Sequence, residues 1–237
     1  MKCDGSPALL LMAAVRNNAE WCDTISRAHG VLGAFAADAW TSPLRTPMYY
    51  PDAITLSPTA KATALLRAID ASRGCSVKDS FATLDLVGSG MRVLFEAMWI
   101  ARAPDVAPER GYDGVRWARI QNEVELAAWH TAMSGNQPSG LFPPTLLADH
   151  RLAFLSGYSD DKIIMGAVAN KSGSVVGMSN VFGPIGASDR TWAGATAAVM
   201  EAFQDVPIVG YERGEALDAA RRQAFAAIGP LRVWIKD

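Results

Sequence analysis

The chain has 237 residues, of which 50% are apolar and 19% charged, with a formal net charge of −2 at neutral pH. That length can bury a good core as one large domain or two small ones. So small a net charge gives no reason to expect nucleic acid or an anionic membrane surface as the main partner.

In chain order, the first apolar run is "ALLLMAAV" at 8–15. It is too short for a membrane helix and runs without a cleavage site into "RNNAEW", so a buried strand is expected there, followed by a helix at 17–29. "DAITL" (52–56) predicts a strand. "SPTAKATALLRAI" predicts a helix with Ser57 as N-cap and Pro58 at its first position. "SVKDS", a short helix and the run "MRVLFEAMWI" (91–100) follow. Prolines, glycines and a charge cluster then interrupt residues 101–114. The expected organisation is a domain at 1–102, a linker at 103–114 and a second domain at 115–237.

The second half opens with a strand at "VRWARI" and an amphipathic helix over 121–133 that ends at Gly135. A proline- and glycine-rich loop, "SGNQPSGLFPP", leads to "RLAFLSGY", "KIIMGAVA" and "VVGMSNVF". Short polar turns join these three strands, as in an antiparallel meander. A helix at 189–203, the strand "VPIVGY", the helix "EALDAARRQAFAAI" and the strand "LRVWI" complete the chain. The order β-α-β-β-β-α-β-α-β predicts an α/β protein with a mixed sheet covered by helices.

An internal repeat runs through this pattern. An offset of 134 residues carries Ala82 onto Ala216, Gly90 onto Ala224 and "ALLRAI" (64–69) onto "AVMEAF" (198–203). Nearer the start of each half, an offset of 105 lays "RNNAEWCDTISRAHG" over "QNEVELAAWHTAMSG". The first copy is therefore shorter, and the missing residues are those of the meander. Residues 57–100 are expected to match 191–235, helix for helix and strand for strand.

The element order of the second copy, with a glycine near the start of the helix after the meander, resembles the GNAT (acyl-CoA N-acyltransferase) superfamily. The first copy then reads as a shortened, degenerate partner in tandem. The resemblance implies acetyl-CoA or another acyl-CoA as co-substrate and an amine acceptor, a small molecule or a peptide. The superfamily's pyrophosphate motif, [QR]-x-x-G-x-[GA], falls on "TWAGAT", with Thr191, Gly194 and Thr196 at its fixed positions and Ala195 between them. A second register, "GPIGAS", uses Gly186 and Ser188 and places Gly183 at the Gln/Arg. The later motif, N-x-x-A-x-x-x-Y-x-x-x-G-F, falls on Arg213, Ala216, Ala220, Ala224 and Phe225, so its asparagine and tyrosine are both replaced. That tyrosine is the usual general acid for the departing thiolate.

Acyl transfer from a thioester needs backbone N–H groups on the carbonyl, a helix N-terminus for the pyrophosphate, and a base for the ammonium proton. Ser179, Asn180, Val181 and Phe182 are expected to offer backbone groups where their strand splays from "VPIVGY". Gly194 either admits a phosphate or packs a helix closely on the sheet. Glu212 is the candidate base and Tyr211 the candidate acid, and strand alternation puts their side chains on opposite faces. Glu212 also reads as a surface partner of Arg213, and His130 as a structural histidine or a wall of an acceptor cleft. The histidines have no carboxylate or cysteine at ligand spacing, so no metal is expected. The three cysteines, at 3, 22 and 75, form no C-x-x-C, which points to a reducing compartment, the cytoplasm. A non-catalytic protein that uses this fold to bind acyl-CoA or partner proteins is the rival expectation. The sequence leaves homo-oligomerisation open.

Overall fold

The computed structural model describes residues 6–107, 114–135 and 140–237. Cys3, the middle of the expected linker and part of "SGNQPSGLFPP" lie outside the described residues. The first elements are α1 (Pro7–Ala28), β1 (Ala34–Phe35), β2 (Ala39–Thr41), β3 (Ala53–Thr55), α2 (Ala62–Arg67), β4 (Ser76–Asp79) and β5 (Met91–Arg102). Then come β6 (Arg116–Arg119), α3 (Glu123–Ser134), β7 (Leu152–Ser159), β8 (Lys162–Ser172) and β9 (Val175–Phe182). The chain ends with α4 (Ser188–Ala202), β10 (Ile208–Glu212), α5 (Gly214–Arg222) and β11 (Ala226–Lys236). These elements form two compact units, Met1–Trp99 with Ile228–Asp237, and Ile100–Ala227. The last ten residues thus group with the first unit, whereas the sequence reading assigned them to the second.

In the first unit, the expected N-terminal strand is part of one helix of 22 residues. Ser6 caps α1 through its side chain and Pro7 supplies the preset φ of the first turn, so the apolar run starts helical and no breaker interrupts it. Its inner face buries Ala14, Val15, Ala19, Cys22 and Ile25. The Trp40 indole on β2 is fully buried and donates to Asp23 of α1 at 2.9 Å. Strands β1, β2 and β3 form a short antiparallel meander, so the first half keeps one, reduced to two or three residues per strand. Next, β3 pairs in parallel with β4, and β4 pairs antiparallel with β11, Val77 opposite Trp234. Helix α2 is shorter than expected: Lys61 is its N-cap, and Ser57 instead closes a turn with Ala60. The buried Asp52 carboxylate accepts from Arg45, the Thr46 amide and the Ser76 amide at 2.9–3.0 Å, which fixes the 42–52 loop to the start of β4.

In the second unit, the meander is as expected. Antiparallel pairing joins β6 to β7, β7 to β8 and β8 to β9. The β7–β8 turn has Asp160 and Asp161 both at positive φ, the geometry of a two-residue hairpin. Asn122 caps α3 by accepting from the Glu125 amide, and Gly135 ends it at φ 63°. The sheet is covered on both faces. A Cβ at Gly166 would strike Trp129 of α3, whereas Gly157, one step along the paired strand and so on the other face, meets Trp117. Trp117 in turn lies against Gly194 of α4.

Residues 57–100 and 191–235 do share an element order. The first runs α2, β4, a 3-10 turn at Val87–Ser89 and β5; the second runs α4, β10, α5 and β11. Gly90 and Ala224, one offset apart, both adopt left-handed φ, 75° and 62°. Helix α5 stops at Arg222, before the "AFAAI" that the sequence reading kept helical. The Phe225 amide reaches the Ala220 carbonyl and the Ala224 amide the Arg221 carbonyl, which together close a Schellman motif with alanine in the place glycine usually takes.

Candidate active site

The site is built where two parallel strands part. β9 and β10 pair at Val176 with Ile208 and at Gly177 with Val209, and no further. Up to that level both strands are buried; beyond it Ser179–Phe182 and Gly210–Glu212 are half-buried. Two backbone features produce the parting. Asn180 adopts φ 51°, and the register to β8 slips, because Gly166 opposes Phe182 while Val168 opposes Ser179. Three steps of β9 therefore run against two of β8, a bulge that turns backbone groups out of the ladder. At Gly210 the strands are still in touch, since a Cβ there would lie 2.7 Å from the Met178 carbonyl oxygen.

The turn at 183–187 links β9 to α4. Gly183 is fixed by crowding, as its Cβ would lie on the Thr191 hydroxyl. The Ala187 amide bonds back to Pro184, and Gly186 takes φ 76°. Helix α4 then begins at Ser188, where its first-turn amides make the kind of donor set that favours anions. Two carboxylates also lie here: Ser188 donates to Glu215 at 2.8 Å, and Arg222 donates to Asp189 at 2.7 Å.

Gly194 does not open this helix. It is the seventh residue of α4, buried on the sheet side, and a Cβ would strike the Trp117 indole. Thr191, Ala195 and Thr196 are buried with it, and the Thr191 amide is spent on Ala187. Of the two motif registers, the geometry fits "GPIGAS", because only there does the turn precede the helix start. Gly194→Ala is accordingly expected to cost about 1–3 kcal/mol by overpacking against Trp117, read by thermal unfolding. Unchanged stability combined with lost acyl-CoA binding would restore the phosphate role for Gly194.

Glu212 ends β10. Burial pushes its carboxyl up to about 7, against the opposing pull of the Arg213 backbone N–H and the Arg213 charge. A carboxyl that titrates near neutrality suits proton transfer in either direction. Tyr211 precedes it and, by alternation, faces the other side of the strand. Ala220 is fully buried in α5, so no phenol stands at that motif position. His130 lies on α3 beside Trp129, and burial lowers its pKa, leaving it neutral at pH 7. Among the described residues no group of three His, Cys, Asp or Glu is placed to hold a metal, and no helix is long and apolar enough to cross a membrane.

The bulge at Asn180, the close approach at Gly210 and the raised Glu212 carboxyl were not read from the sequence. Asparagine inside a strand was the available signal for the first, since it tolerates left-handed φ better than most residues.

No protein-family model and no curated protein matches the sequence at a significant level. Solved structures do. A GCN5-related N-acetyltransferase from Kribbella flavida superimposes with a TM-score of 0.67 at 14% identity, covering 94% of this chain and 95% of its own. One from Sphaerobacter thermophilus gives 0.56 at 12% identity, covering 95% and 93%. An acetyltransferase described as of the GNAT family, from Novosphingobium aromaticivorans, gives 0.55 at 12% identity, covering 94% and 99%. At such low identity the likeness speaks to architecture, and it extends over nearly the whole chain: this protein has the fold of the GCN5-related N-acetyltransferases.

Proposed function

We propose that the chain transfers an acyl group from acetyl-CoA or another acyl-CoA to an amine, and that the second unit does so. The observation that carries this reading is the parting of β9 and β10 at the Asn180 bulge, with Glu212 beside it at a pKa of about 7. Backbone groups of Ser179–Phe182 face the thioester, and the 183–187 turn with the start of α4 takes the pyrophosphate. Glu212, as carboxylate, removes the ammonium proton; the amine nitrogen then bonds to the thioester carbon, the C–S bond breaks, and the departing thiolate takes up the second nitrogen proton as it leaves as the thiol. A thiol is a stronger acid than an alcohol, so the thiolate is a fair leaving group even without a phenol at Ala220. The chemistry needs no metal.

The first unit is proposed as a shortened copy of the second, on the strength of the constant offset and the shared element order. The cytoplasm and a partner set free of nucleic acid and membrane belong to the same proposal, supported by the cysteine pattern and the charge. A specific observation favours the rival, non-catalytic reading: Arg213 and Ala220 stand where the resemblance has asparagine and tyrosine. Thiol release from acetyl-CoA with a panel of primary amines separates the two. Turnover that depends on the amine is expected; acyl-CoA binding with no turnover for any amine would favour the rival.

A further inference from the structure

We propose that His130 is a substrate-contacting residue which hydrogen-bonds the amine acceptor through Nε2, and that the acceptor is a monoamine with an apolar or aromatic body. This deepens the acyl-transfer reading and rests on it. Helix α3 covers the sheet face that carries Phe154 and Phe182. Its Trp129 is fully buried, with ring centroids 5.6 Å from Phe154, 5.8 Å from Phe142 and 5.1 Å from Phe182. Phe182 is the last residue of β9, past the bulge, so this cluster backs the end of the strand that bounds the candidate site. The His130 ring packs beside Phe142 at 5.4 Å.

Hydrogen bonding in the cluster is selective. Trp129 Nε1 donates to the Leu155 carbonyl at 2.9 Å, whereas His130 Nε2 is buried with no hydrogen-bond partner among the described residues. Ser156 Oγ is also buried without a hydrogen-bond partner among the described residues. Ser156 lies two residues beyond Phe154 and opposite Gly166, so it shares the α3 face. A buried polar atom left unmatched beside a satisfied Trp129 calls for a role. A neutral imidazole can accept an N–H from an incoming amine without repelling it. Trp129, Phe142, Phe154, Phe182 and Ser156 bring no carboxylate, and a polycation would need several. One amine on an apolar body fits these surroundings.

The test is His130→Phe, which keeps a ring against Phe142 and removes the nitrogen. The expected result is a KM for phenethylamine raised at least tenfold, with acetyl-CoA affinity and melting temperature unchanged. In the wild type, the imidazole C–H signals of His130 are identified by their loss in the variant, among three histidines in all. They are expected to shift on adding phenethylamine but not spermidine. A variant with wild-type KM for every amine, together with His130 signals that no amine moves, would overturn the proposal while leaving acyl transfer intact. Amine-dependent shifts in a chain that neither binds acetyl-CoA nor turns over would instead sink the acyl-transfer reading and keep His130 as an amine contact.

Discussion

Replacing Glu212 with glutamine is expected to lower kcat by about 10²- to 10⁴-fold, the usual contribution of a positioned general base, while acyl-CoA affinity stays nearly constant. Glutamine keeps the size and polarity of the side chain, so the Arg213 amide retains an acceptor. The wild-type rate should rise with pH and level off above about 7, where the carboxyl is ionised. Steady-state kinetics across that range read both effects. Full activity in the variant would remove Glu212 from the chemistry and return it to the role of a partner for Arg213.

The same carboxyl links stability to pH. Its folded pKa of about 7 lies above the ordinary 4.5, so between those values the folded state holds a proton that the unfolded state has released. The contribution is fully present below about 4.5 and is lost as pH rises through about 7. At about 1.4 kcal/mol per pKa unit, the amount at stake is on the order of 3–4 kcal/mol. Denaturant titrations should show this decline in the wild type and a flatter curve in Glu212→Gln.

The second large effect concerns the C-terminal strand. A chain that stops at residue 227 is expected to lose the cooperative folding of the first unit, although the deletion removes only its last ten residues. Those residues complete the sheet beside β4 and bury Leu231, Val233 and Trp234. Trp234 belongs to the core cluster that includes Leu65, Val77, Leu86 and Met91. Truncating a single large core side chain costs about 2–5 kcal/mol, and a whole domain has only about 5–15 kcal/mol in hand. Thermal unfolding followed by circular dichroism, with limited proteolysis to locate the damage, tests this. A truncated chain that melts cooperatively at the wild-type temperature would contradict it.

Local chemistry made much of the second unit legible. Strand periodicity and polar turns marked β7, β8 and β9, and Gly135 marked the end of α3. The splay of "VVGMSNVF" from "VPIVGY" is implied by the resemblance and not by any local residue. The misreadings each have a physical cause. "ALLLMAAV" suits a buried strand and a buried helix equally, and the decision lay in Ser6 and Pro7, a cap and a first-turn proline given too little weight. The stop after α5 was hidden because Ala224 is a poor signal for left-handed backbone. For Gly194 the sequence leaves phosphate contact and close helix packing both open, because the crowding by Trp117 comes from β6, more than 70 residues earlier in the chain. Pairing of β11 with β4 is likewise non-local, so the membership of 228–237 could not be read from any window of sequence. The pKa of Glu212 depends on burial contributed by the folded surroundings, which residue type alone does not reveal.

Calorimetric titration of the full chain with acetyl-CoA tests the central claim most directly. Saturable binding at one site per chain is expected, abolished by a bulky, charged residue in the 183–187 turn, as in Gly186→Glu, and retained in Gly194→Ala. No heat from acetyl-CoA at millimolar concentration, with the chain folded, would contradict it and leave only the fold.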